Sequence, residues 1–524
     1  MVRDWADGNA QRWVVGGLLA LVPPVTFLVK VLRTEPRWRY QIFEDDAFYY
    51  LGVARNLAHG HGSTFTGLVE TNGYHPLWML LLIPLAWLFD RPGELLLAVG
   101  VLQCLLWTAA VHQALQIGRL VGSWVSAAGA LAAYAVLAVL TGHLAFDGME
   151  SAVLLPLLLL AVRLVVSADA RPGSDLRVGL VLAAVCLARL DAIAAAVPLG
   201  LVCVGRDRPD RSVALRRTGL VAAPPALALG LYAIVDVVVF GVALPVSGAA
   251  KLLGAPFVNT APVRQFLQAG DFDGRPLWFG AVALALVAGA VVATTRGPPV
   301  DDARRRLLAC TLALVGGEAI LLIQLTFATS YRVWPWYHYQ LVVFSFGALL
   351  LVLRAAADHS ELLARRTCQV LVVGLLVVTC LVTLRSEAPD YAASPPAAEF
   401  VRRELPEDTV LAMGDRAGIF GFLADRRLLH VEGLTGDVDL LRAIADHRIV
   451  DAMTDAGVDY YVHYGRRGKA VVVDGRSCRR FEEPVQGDGP KSAVVVCEDD
   501  MVFSHGPADD QLTIWRYRPE RNEP

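Results

Sequence analysis

Long apolar runs alternate with short polar segments over the first 385 residues of the chain, and mixed, charged sequence follows. A helix needs about 17–25 mostly apolar residues to cross a bilayer. The first such run, WVVGGLLALVPPVTFLVKVL (13–32), has no small-residue cleavage site behind it and is predicted to stay as an anchor. Further candidate spans cover 76–90, 94–118, 125–142, 150–167, 178–204, 218–240, 276–294, 307–328, 338–354 and 367–385. The pattern predicts a mainly α-helical membrane protein with about eleven transmembrane helices.

The sequence changes character after Arg385. The segment SEAPDYAASPPAAEF (386–400) is typical of a linker. Beyond it, strand-like runs such as TVLAMG (409–414) and VDYYVHYG (458–465) alternate with helical ones, which favours βαβ units. We therefore divide the chain into a transmembrane domain at 1–385 and a soluble α/β domain at 386–524.

Composition supports a polytopic membrane protein. Hydrophobic residues make up 55% of the chain and charged residues 19%, against about 25% charged in soluble domains. A net charge of −3 without a basic stripe gives no support for nucleic-acid binding. No cysteine pair has CxxC spacing, so neither a zinc nor a redox motif is indicated. Only Cys478 and Cys497 lie in polar sequence; outside the cell they could form a disulfide, which the sequence leaves open.

The basic loops predict the orientation of the bundle. The segments GRDRPDRSVALRR (205–217), ARRR (303–306) and ELLARR (361–366) are expected on the cytoplasmic side. The acidic loop at 33–75, the loop at 241–275 and the C-terminal domain then lie outside.

The side of the segment FDGMES (146–151) depends on two candidate spans. Strict alternation of crossings places it inside. However, 76–90 is short and could be one arm of a re-entrant hairpin, and 178–204 is long and carries Arg189 and Asp191 at its centre. If either is not one simple crossing, Asp147 to Ser151 moves to the outer face, which is the placement that we favour.

An acidic stretch, FEDDAFYYLGVARNLAHGHG (43–62), follows the first apolar run. Apolar residues recur every three positions along it, at Phe48, Leu51, Ala54 and Leu57. This spacing predicts a helix along the membrane surface, with Asp45 and Asp46 in its first turn. One carboxylate there would cap the helix, but consecutive acids repel one another. An ionised carboxylate at a lipid–water boundary could act as a general base on a sugar hydroxyl, or help to hold a divalent cation.

The paired acids, with ARNLAHGHG (54–62) and TNGYHPLW (71–78), resemble the first outer loop of the GT-C class of polytopic glycosyltransferases. That class includes protein mannosyltransferases, lipid A aminoarabinose transferases and actinobacterial arabinofuranosyltransferases. Other similar segments are GMESAVLLPLLLL (148–160), LARLDA (187–192), FGVALPVSGAAK (240–251) and YRVWPWYHY (331–339). The resemblance covers most of the chain. It implies a GT-C-like catalytic bundle, an extracytoplasmic C-terminal α/β domain, a polyprenyl-phosphate sugar donor and a catalytic acidic pair.

The implied chemistry assigns roles to charged residues. Polyprenyl phosphate is a good leaving group, so a single base, Asp45 or Asp46, could deprotonate the acceptor in one inverting displacement. The sequence does not separate the two. The donor phosphate needs cations, and the candidates are Lys251, Arg55 and Arg189. Their alternative roles are snorkelling, a lipid headgroup contact and an ion pair within the bundle.

Six further residues are candidates for substrate binding: His75, Glu150, Asp191, Trp334, Tyr337 and His338. Buried ionisable groups must pair or line a cavity, and aromatic rings can stack on sugars or form a belt at the membrane boundary. The histidines match no standard ligand spacing, so no metal ligands are assigned and a divalent cation is the only cofactor considered. In the C-terminal domain, GDRAG (414–418) is either an anion-binding helix start or a plain turn.

The sequence thus predicts a glycosyltransferase on the outer face of a bacterial cytoplasmic membrane. It would move a hexosyl or pentosyl group from a lipid-linked donor to a glycan, lipid or protein of the cell envelope. Ala/Val/Arg-rich usage with few lysines is typical of a GC-rich bacterium. This favours an arabinose or mannose donor without deciding the donor sugar. One alternative is a transporter or flippase for lipid-linked glycans, although no paired interrupted helices are evident. Another is a non-catalytic assembly subunit, but the acidic pair is intact, which argues against lost activity.

Overall fold

The computed structural model describes residues 2–123, 125–132, 146–167, 172–206, 210–254, 258–269, 271–272, 275–276, 278–296, 300–329, 334–384, 391–486, 489–507 and 510–522. Its first part consists of helices: α1 (Val2–Arg33), α2 (Asp45–Ala58), α3 (Pro76–Leu88), α4 (Pro92–Leu120), α5 (Ser151–Ser167), α6 (Pro172–Ala188), α7 (Ile193–Gly205), α8 (Arg211–Phe240), α9 (Val246–Leu252), α10 (Ala261–Leu267), α11 (Phe279–Thr295), α12 (Asp302–Ala328), α13 (Tyr339–His359) and α14 (Glu361–Leu384). A two-residue ribbon, β1 (Asp271–Phe272) and β2 (Arg275–Pro276), follows α10.

Within these described residues, five helices are long and apolar enough to cross a membrane: Val15–Arg33, Pro92–Leu120, Arg211–Phe240, Asp302–Ala328 and Trp336–His359. Shorter apolar helices lie among them, so the prediction of a polytopic helical bundle is confirmed. Most candidate spans coincide with one helix. The candidate at 125–142 falls largely outside the described residues.

Polar residues mark where several helices begin. The side chains of Asp210 and Asp301 accept hydrogen bonds from the backbone N–H groups of Val213 (2.9 Å) and Arg304 (2.8 Å), at the starts of α8 and α12. Helices α3 and α4 instead begin with proline, whose missing N–H group costs nothing in a first turn. Local sequence therefore sets these boundaries.

The candidate span at 178–204 is a helical hairpin, and its prediction as a single crossing was wrong. Helix α6 ends at Ala188, and α7 begins at Ile193 after a 3-10 turn. Arg206, at the far end of α7, donates to Asp175, in the first turn of α6, at 2.6 Å. The two helices are therefore antiparallel, with Arg189 and Asp191 at the tip. The polar tip reaches partners at the end of the bundle, which avoids burying those charges in its middle.

The candidate span at 76–90 also does not cross the bundle. Helix α3 packs along α2, which lies in the segment 33–75; we call this segment the first outer loop after its predicted position. At one end, His75 lies 3.7 Å from Glu150, and at the other, Asp90 lies 3.0 Å from His59. Because both ends lie beside the acidic loop, α3 matches the re-entrant alternative. Neither the candidate at 178–204 nor the candidate at 76–90 is therefore one simple crossing, which is the condition under which we placed 146–151 on the side of the acidic loop.

The segment 146–151 lies at the same end of the bundle as the acidic loop, as we favoured. The backbone N–H of Glu44 donates to the Asp147 carbonyl at 3.0 Å. Gly148 has φ +83, and a Cβ atom there would lie 2.6 Å from Ala47. The two segments are therefore in direct backbone contact.

The C-terminal part is an α/β domain, as predicted. Its helices are α15 (Ser394–Glu404), α16 (Ala417–Ala424), α17 (Val438–Ala445) and α18 (Ile449–Asp455), and its strands are β3 (Val410–Met413), β4 (Arg427–His430), β5 (Tyr460–Gly465), β6 (Lys469–Val473), β7 (Arg476–Glu483), β8 (Ser492–Cys497), β9 (Met501–His505) and β10 (Gln511–Arg516). Strands β4, β3 and β5 are parallel, and β10 and β9 extend this sheet in antiparallel pairing. A second sheet, β6-β7-β8, carries a disulfide between Cys478 and Cys497.

The two parts of the chain share one hydrophobic core. A continuous cluster of buried side chains runs from the bundle through Phe48 of α2 to Phe420 of α16 and Ile514 of β10. The first outer loop is therefore enclosed between the bundle and the C-terminal domain.

Candidate active site

Helix α2 carries the acidic pair and is buried on every side over most of its length. Phe48, Leu51 and Ala54, which the sequence places on one apolar face, are buried, and so are Tyr49 and Tyr50. Helix α3 covers one side of α2 and α16 another. The predicted helix is confirmed, and it is covered by α16 as well as by the bundle.

The two aspartates of the pair have different surroundings. Asp45 is 6% exposed, and its two oxygens accept hydrogen bonds from the backbone N–H groups of Gly418 (2.9 Å) and Ile419 (2.7 Å). Burial raises the pKa of Asp45 to about 7, although these two N–H groups favour the carboxylate. Asp45 therefore caps helix α16, and both of its oxygens are occupied.

Asp46 instead faces open space. Among the described residues, none donates a hydrogen bond to its carboxylate. Burial raises the pKa of Asp46 to about 6, although the nearby Lys251 ammonium group opposes the shift. Asp46 is thus ionised near neutral pH and has its hydrogen-bonding capacity available.

Two adjoining cavities meet at Asp46. The first, which we call the acidic chamber, is lined by five carboxylates together with Lys251 and Arg416; the carboxylates are those of Glu44, Asp45, Asp46, Asp415 and Glu432. The second, which we call the bundle chamber, is lined by helices of the bundle and by residues of the first outer loop, including His75, Glu150 and Arg189. Both chambers are lined by Asp46, Tyr49, Lys251, Trp336, Tyr337 and Leu434. A molecule that reaches across both would pass directly over Asp46 and Lys251.

Lys251 lies in α9, which the first outer loop holds in place. Asn72 accepts a hydrogen bond from the backbone N–H of Val246 (3.0 Å) and donates to Asp236 (3.0 Å). The Lys251 ammonium group donates to the Tyr337 hydroxyl at 2.7 Å. Burial disfavours the ammonium ion, but Tyr337 and Asp46 outweigh burial and raise the pKa of Lys251. Lys251 therefore brings a fixed positive charge to both chambers.

Arg189 lies at the tip of the α6–α7 hairpin and is saturated by carboxylates. It donates to Glu150 at 2.6 Å and to both oxygens of Asp191, at 3.0 and 2.8 Å. Its guanidinium group also lies 4.7 Å from the centre of the Tyr337 ring. Glu150 and Arg189 line the bundle chamber, whereas Asp191 lines neither chamber. Because two carboxylates pair with Arg189, it brings no net positive charge for a phosphate. The arrangement is the ion pair that we considered as the alternative.

The other predicted site residues divide into two sets. His75, Trp334 and Tyr337 line one or both chambers. Arg55 lies elsewhere, with its guanidinium group 3.5 Å from Asp425 and 4.8 Å from the ring of Phe422. His338 turns into the bundle, where its Nδ1 lies 2.8 Å from Glu318. The structure therefore does not bring Arg55 or His338 into the site.

The C-terminal domain contributes residues that the sequence did not indicate. Asp415, Arg416, Glu432 and Tyr391 line the acidic chamber. Burial raises the pKa of Glu432 well above its ordinary value, and Asp415 adds to the shift. One signal in the sequence was GDRAG (414–418), which we considered as either an anion-binding helix start or a plain turn; the N–H groups of Gly418 and Ile419 there donate to the Asp45 carboxylate.

The described residues contain no group of three or more His, Cys, Asp or Glu side chains arranged to hold a metal ion. The donor set of the acidic chamber therefore does not fit a resident divalent cation.

The helical bundle, the acidic helix in its first outer loop and the C-terminal α/β domain together form the GT-C fold, as the resemblance of the sequence predicts. The oligosaccharyltransferase of Archaeoglobus fulgidus, in its apo form, matches 93% of this chain over 76% of its own, with 11% identity and a TM-score of 0.57. ArnT from Cupriavidus metallidurans, bound to undecaprenyl phosphate, matches 86% of this chain over 93% of its own, with 15% identity and a TM-score of 0.54.

A second structure of the archaeal oligosaccharyltransferase, in complex with Zn and sulfate, matches 91% of this chain over 74% of its own, with 12% identity and a TM-score of 0.51. No family model and no curated protein matches the sequence. At these identities the similarity establishes the fold alone.

Proposed function

We propose that the protein is a membrane glycosyltransferase that moves a sugar from a polyprenyl-phosphate donor to a cell-envelope acceptor, on the outer face of a bacterial cytoplasmic membrane. The observation that carries this proposal is Asp46, an ionised carboxylate without a hydrogen-bond donor in the described part of the chain, at the junction of two chambers and beside Lys251. The fold shared with two transferases, one of them solved with undecaprenyl phosphate, supports it.

The donor phosphate binds in the bundle chamber, where Lys251 supplies positive charge. As the bond between the anomeric carbon and the phosphate oxygen breaks, negative charge grows on that oxygen, and a fixed ammonium group stabilises it. Tyr337 holds Lys251 in place and is itself packed against Arg189. The Arg189 side chain thus supports the phosphate site through Tyr337 and does not itself contact the phosphate.

The acceptor enters through the acidic chamber. Its hydroxyl gives a proton to Asp46 and attacks the anomeric carbon from the face opposite the phosphate, so the configuration inverts. A base with a pKa of about 6 is mostly ionised at neutral pH and can still hold a proton in the transition state. Asp45 is less suitable because both of its oxygens already accept hydrogen bonds.

A divalent cation is considered because one similar structure contains Zn. The described carboxylates do not converge on a metal site, so the proposed displacement uses Lys251 and no metal ion.

A transporter of lipid-linked glycans is the second candidate. The charged tip of the α6–α7 hairpin, where Arg189 is buried against Glu150 and Asp191, favours it. The unpaired Asp46 beside an ammonium group is better explained by proton transfer during sugar transfer.

The test uses the purified protein with radiolabelled undecaprenyl-phosphate mannose and arabinose and a cell-envelope acceptor extract. Wild type should transfer one of the sugars, and Asp46→Asn should not. Asp408→Asn, at an exposed aspartate, is the matched control and should retain transfer. If wild type transfers neither sugar but moves the labelled lipid across liposome bilayers, the transporter explanation replaces this proposal. Equal transfer by Asp46→Asn would remove Asp46 as the base.

A further inference from the structure

The C-terminal domain is attached to the first outer loop through helix α16, and Asp45 lies at the centre of this contact. The two hydrogen bonds to its carboxylate come from Gly418 and Ile419, whose N–H groups are among the first of the helix. A Cβ atom on Gly418 would lie only 2.1 Å from the Asp45 carbonyl oxygen. Only glycine fits there, so the backbones of the two segments meet directly.

Contacts around Asp45 extend the attachment to strand β4. The Thr66 hydroxyl accepts from the Leu428 N–H at 2.9 Å and lies 3.0 Å from the Leu428 carbonyl oxygen. The Tyr49 hydroxyl lies 3.3 Å from His430. The first outer loop therefore holds the two neighbouring elements, α16 and β4, on which the wall of the acidic chamber depends.

That wall is built from residues next to these elements. Asp415 and Arg416 directly precede α16, and Glu432 follows β4 by two residues. Arg416 and Tyr391, which also line the chamber, have left-handed backbones with φ of +61° and +56°. Such conformations are unfavourable for residues other than glycine and persist only where the surrounding structure holds them.

We propose that Asp45 is a positioning residue that clamps the C-terminal domain onto the first outer loop and so assembles the acceptor side of the site. Both aspartates line the acidic chamber, but only the carboxylate of Asp46 is then left, within the described ranges, without a backbone hydrogen bond and available to substrate. The part that concerns the acceptor rests on the proposed glycosyl transfer; the clamp itself does not. Taking a proton would weaken the hydrogen bonds from Gly418 and Ile419, which favour the ionised form of Asp45.

The clamp is tested with a matched pair of variants, Asp45→Asn and Asp46→Asn, which make the same change at adjacent positions. In Asp45→Asn, the amide oxygen can accept a hydrogen bond from one of the two backbone N–H groups, while the NH2 group faces the other N–H group and cannot accept from it. Hydrogen exchange of 417–424 should therefore accelerate on the order of 10- to 100-fold in Asp45→Asn, as expected for loss of a hydrogen bond to a charged group. It should be unchanged in Asp46→Asn. Gly418→Ala breaks the clamp from the opposite side without a change of charge and should behave like Asp45→Asn.

Two functional readouts separate positioning from general damage. Asp45→Asn should still bind undecaprenyl phosphate, because Lys251 and its partners are unchanged, and should raise the KM for acceptor more than it lowers kcat. Asp46→Asn should lose kcat. Protected exchange of 417–424 in both Asp45→Asn and Gly418→Ala would overturn the clamp, as would a loss of kcat in Asp45→Asn with 417–424 still protected. If wild type transfers no sugar, the proposed function fails, while the exchange measurements still decide the clamp.

Discussion

Replacement of Asp46 by asparagine should remove sugar transfer and at the same time stabilise the protein. The folded structure raises the pKa of Asp46 from 3.8 to about 6, mainly by burial. A raised carboxyl pKa means that the ionised form is less favourable in the folded than in the unfolded chain, so this group makes stability fall as the pH rises from about 4 to about 6. At pH 7, above both values, the cost is the difference of about 2.2 pH units multiplied by 1.36 kcal/mol, or about 3 kcal/mol.

Asparagine has nearly the same shape and no charge, so Asp46→Asn should recover much of this free energy. We expect the Tm in detergent to rise by a few degrees at pH 7. Near pH 4 the folded wild type is protonated at Asp46 and the unfolded chain only partly ionised, so the gain should fall below about 1 kcal/mol.

The assay is thermal unfolding of wild type and Asp46→Asn at pH 4 and pH 7, with Asp408→Asn as a control for the change of net charge at an exposed position. The control should show no comparable gain. A lower Tm for Asp46→Asn at pH 7, or a gain of equal size at pH 4, would refute the argument that Asp46 is held ionised against the cost of burial.

Four further predictions concern the same region. Sugar transfer should decrease as the pH falls through about 6, because Asp46 becomes protonated. The initial rate, measured from pH 5 to pH 8, should show this decrease at the acidic end of the pH profile. In Lys251→Gln the pH at which transfer decreases should rise by about one to three units, since a neighbouring opposite charge lowers a carboxyl pKa by that amount. If that pH does not change, the decrease comes from protonation of a group other than Asp46. The same variant should bind undecaprenyl phosphate at least about 10-fold more weakly, as native mass spectrometry can show, because a hydrogen bond to a charged group is lost. Gly418→Ala should lower the Tm, because its Cβ would meet the Asp45 carbonyl oxygen at 2.1 Å, whereas Gly219→Ala, with no atom within 4 Å of the new Cβ, should not.

Much of the bundle could be predicted because hydrophobicity acts locally. A helix in a bilayer satisfies its own backbone hydrogen bonds, so length and apolar composition suffice to recognise it. The helices Arg211–Phe240 and Asp302–Ala328 were found in this way. The hairpin at 172–205 was not, because its apolar arms are continuous in sequence except at Arg189 and Asp191. Only the contact between Asp175 and Arg206 shows that the chain turns back.

The candidate site shows the same division. The acidic motif, the lysine at position 251 and the aromatic segment were recognised by composition and by resemblance. Arg55 and His338 were grouped with them for their chemistry, yet they point to Asp425 and Glu318. Rotation about a helix axis and the packing of distant segments decide such directions, and neither is encoded in residue type.

The sequence by itself determined a multi-pass helical protein, an acidic helix after the first span and a C-terminal α/β domain, because each depends on residues close together in the chain. Only the tertiary structure separated Asp45 from Asp46. The two are adjacent and chemically identical, and their difference comes from a helix that begins more than 370 residues later. Two backbone N–H groups occupy Asp45, whereas Asp46 and Lys251 are left facing the two chambers. Such a difference arises from the desolvation and hydrogen bonding that folding creates, which no local pattern contains.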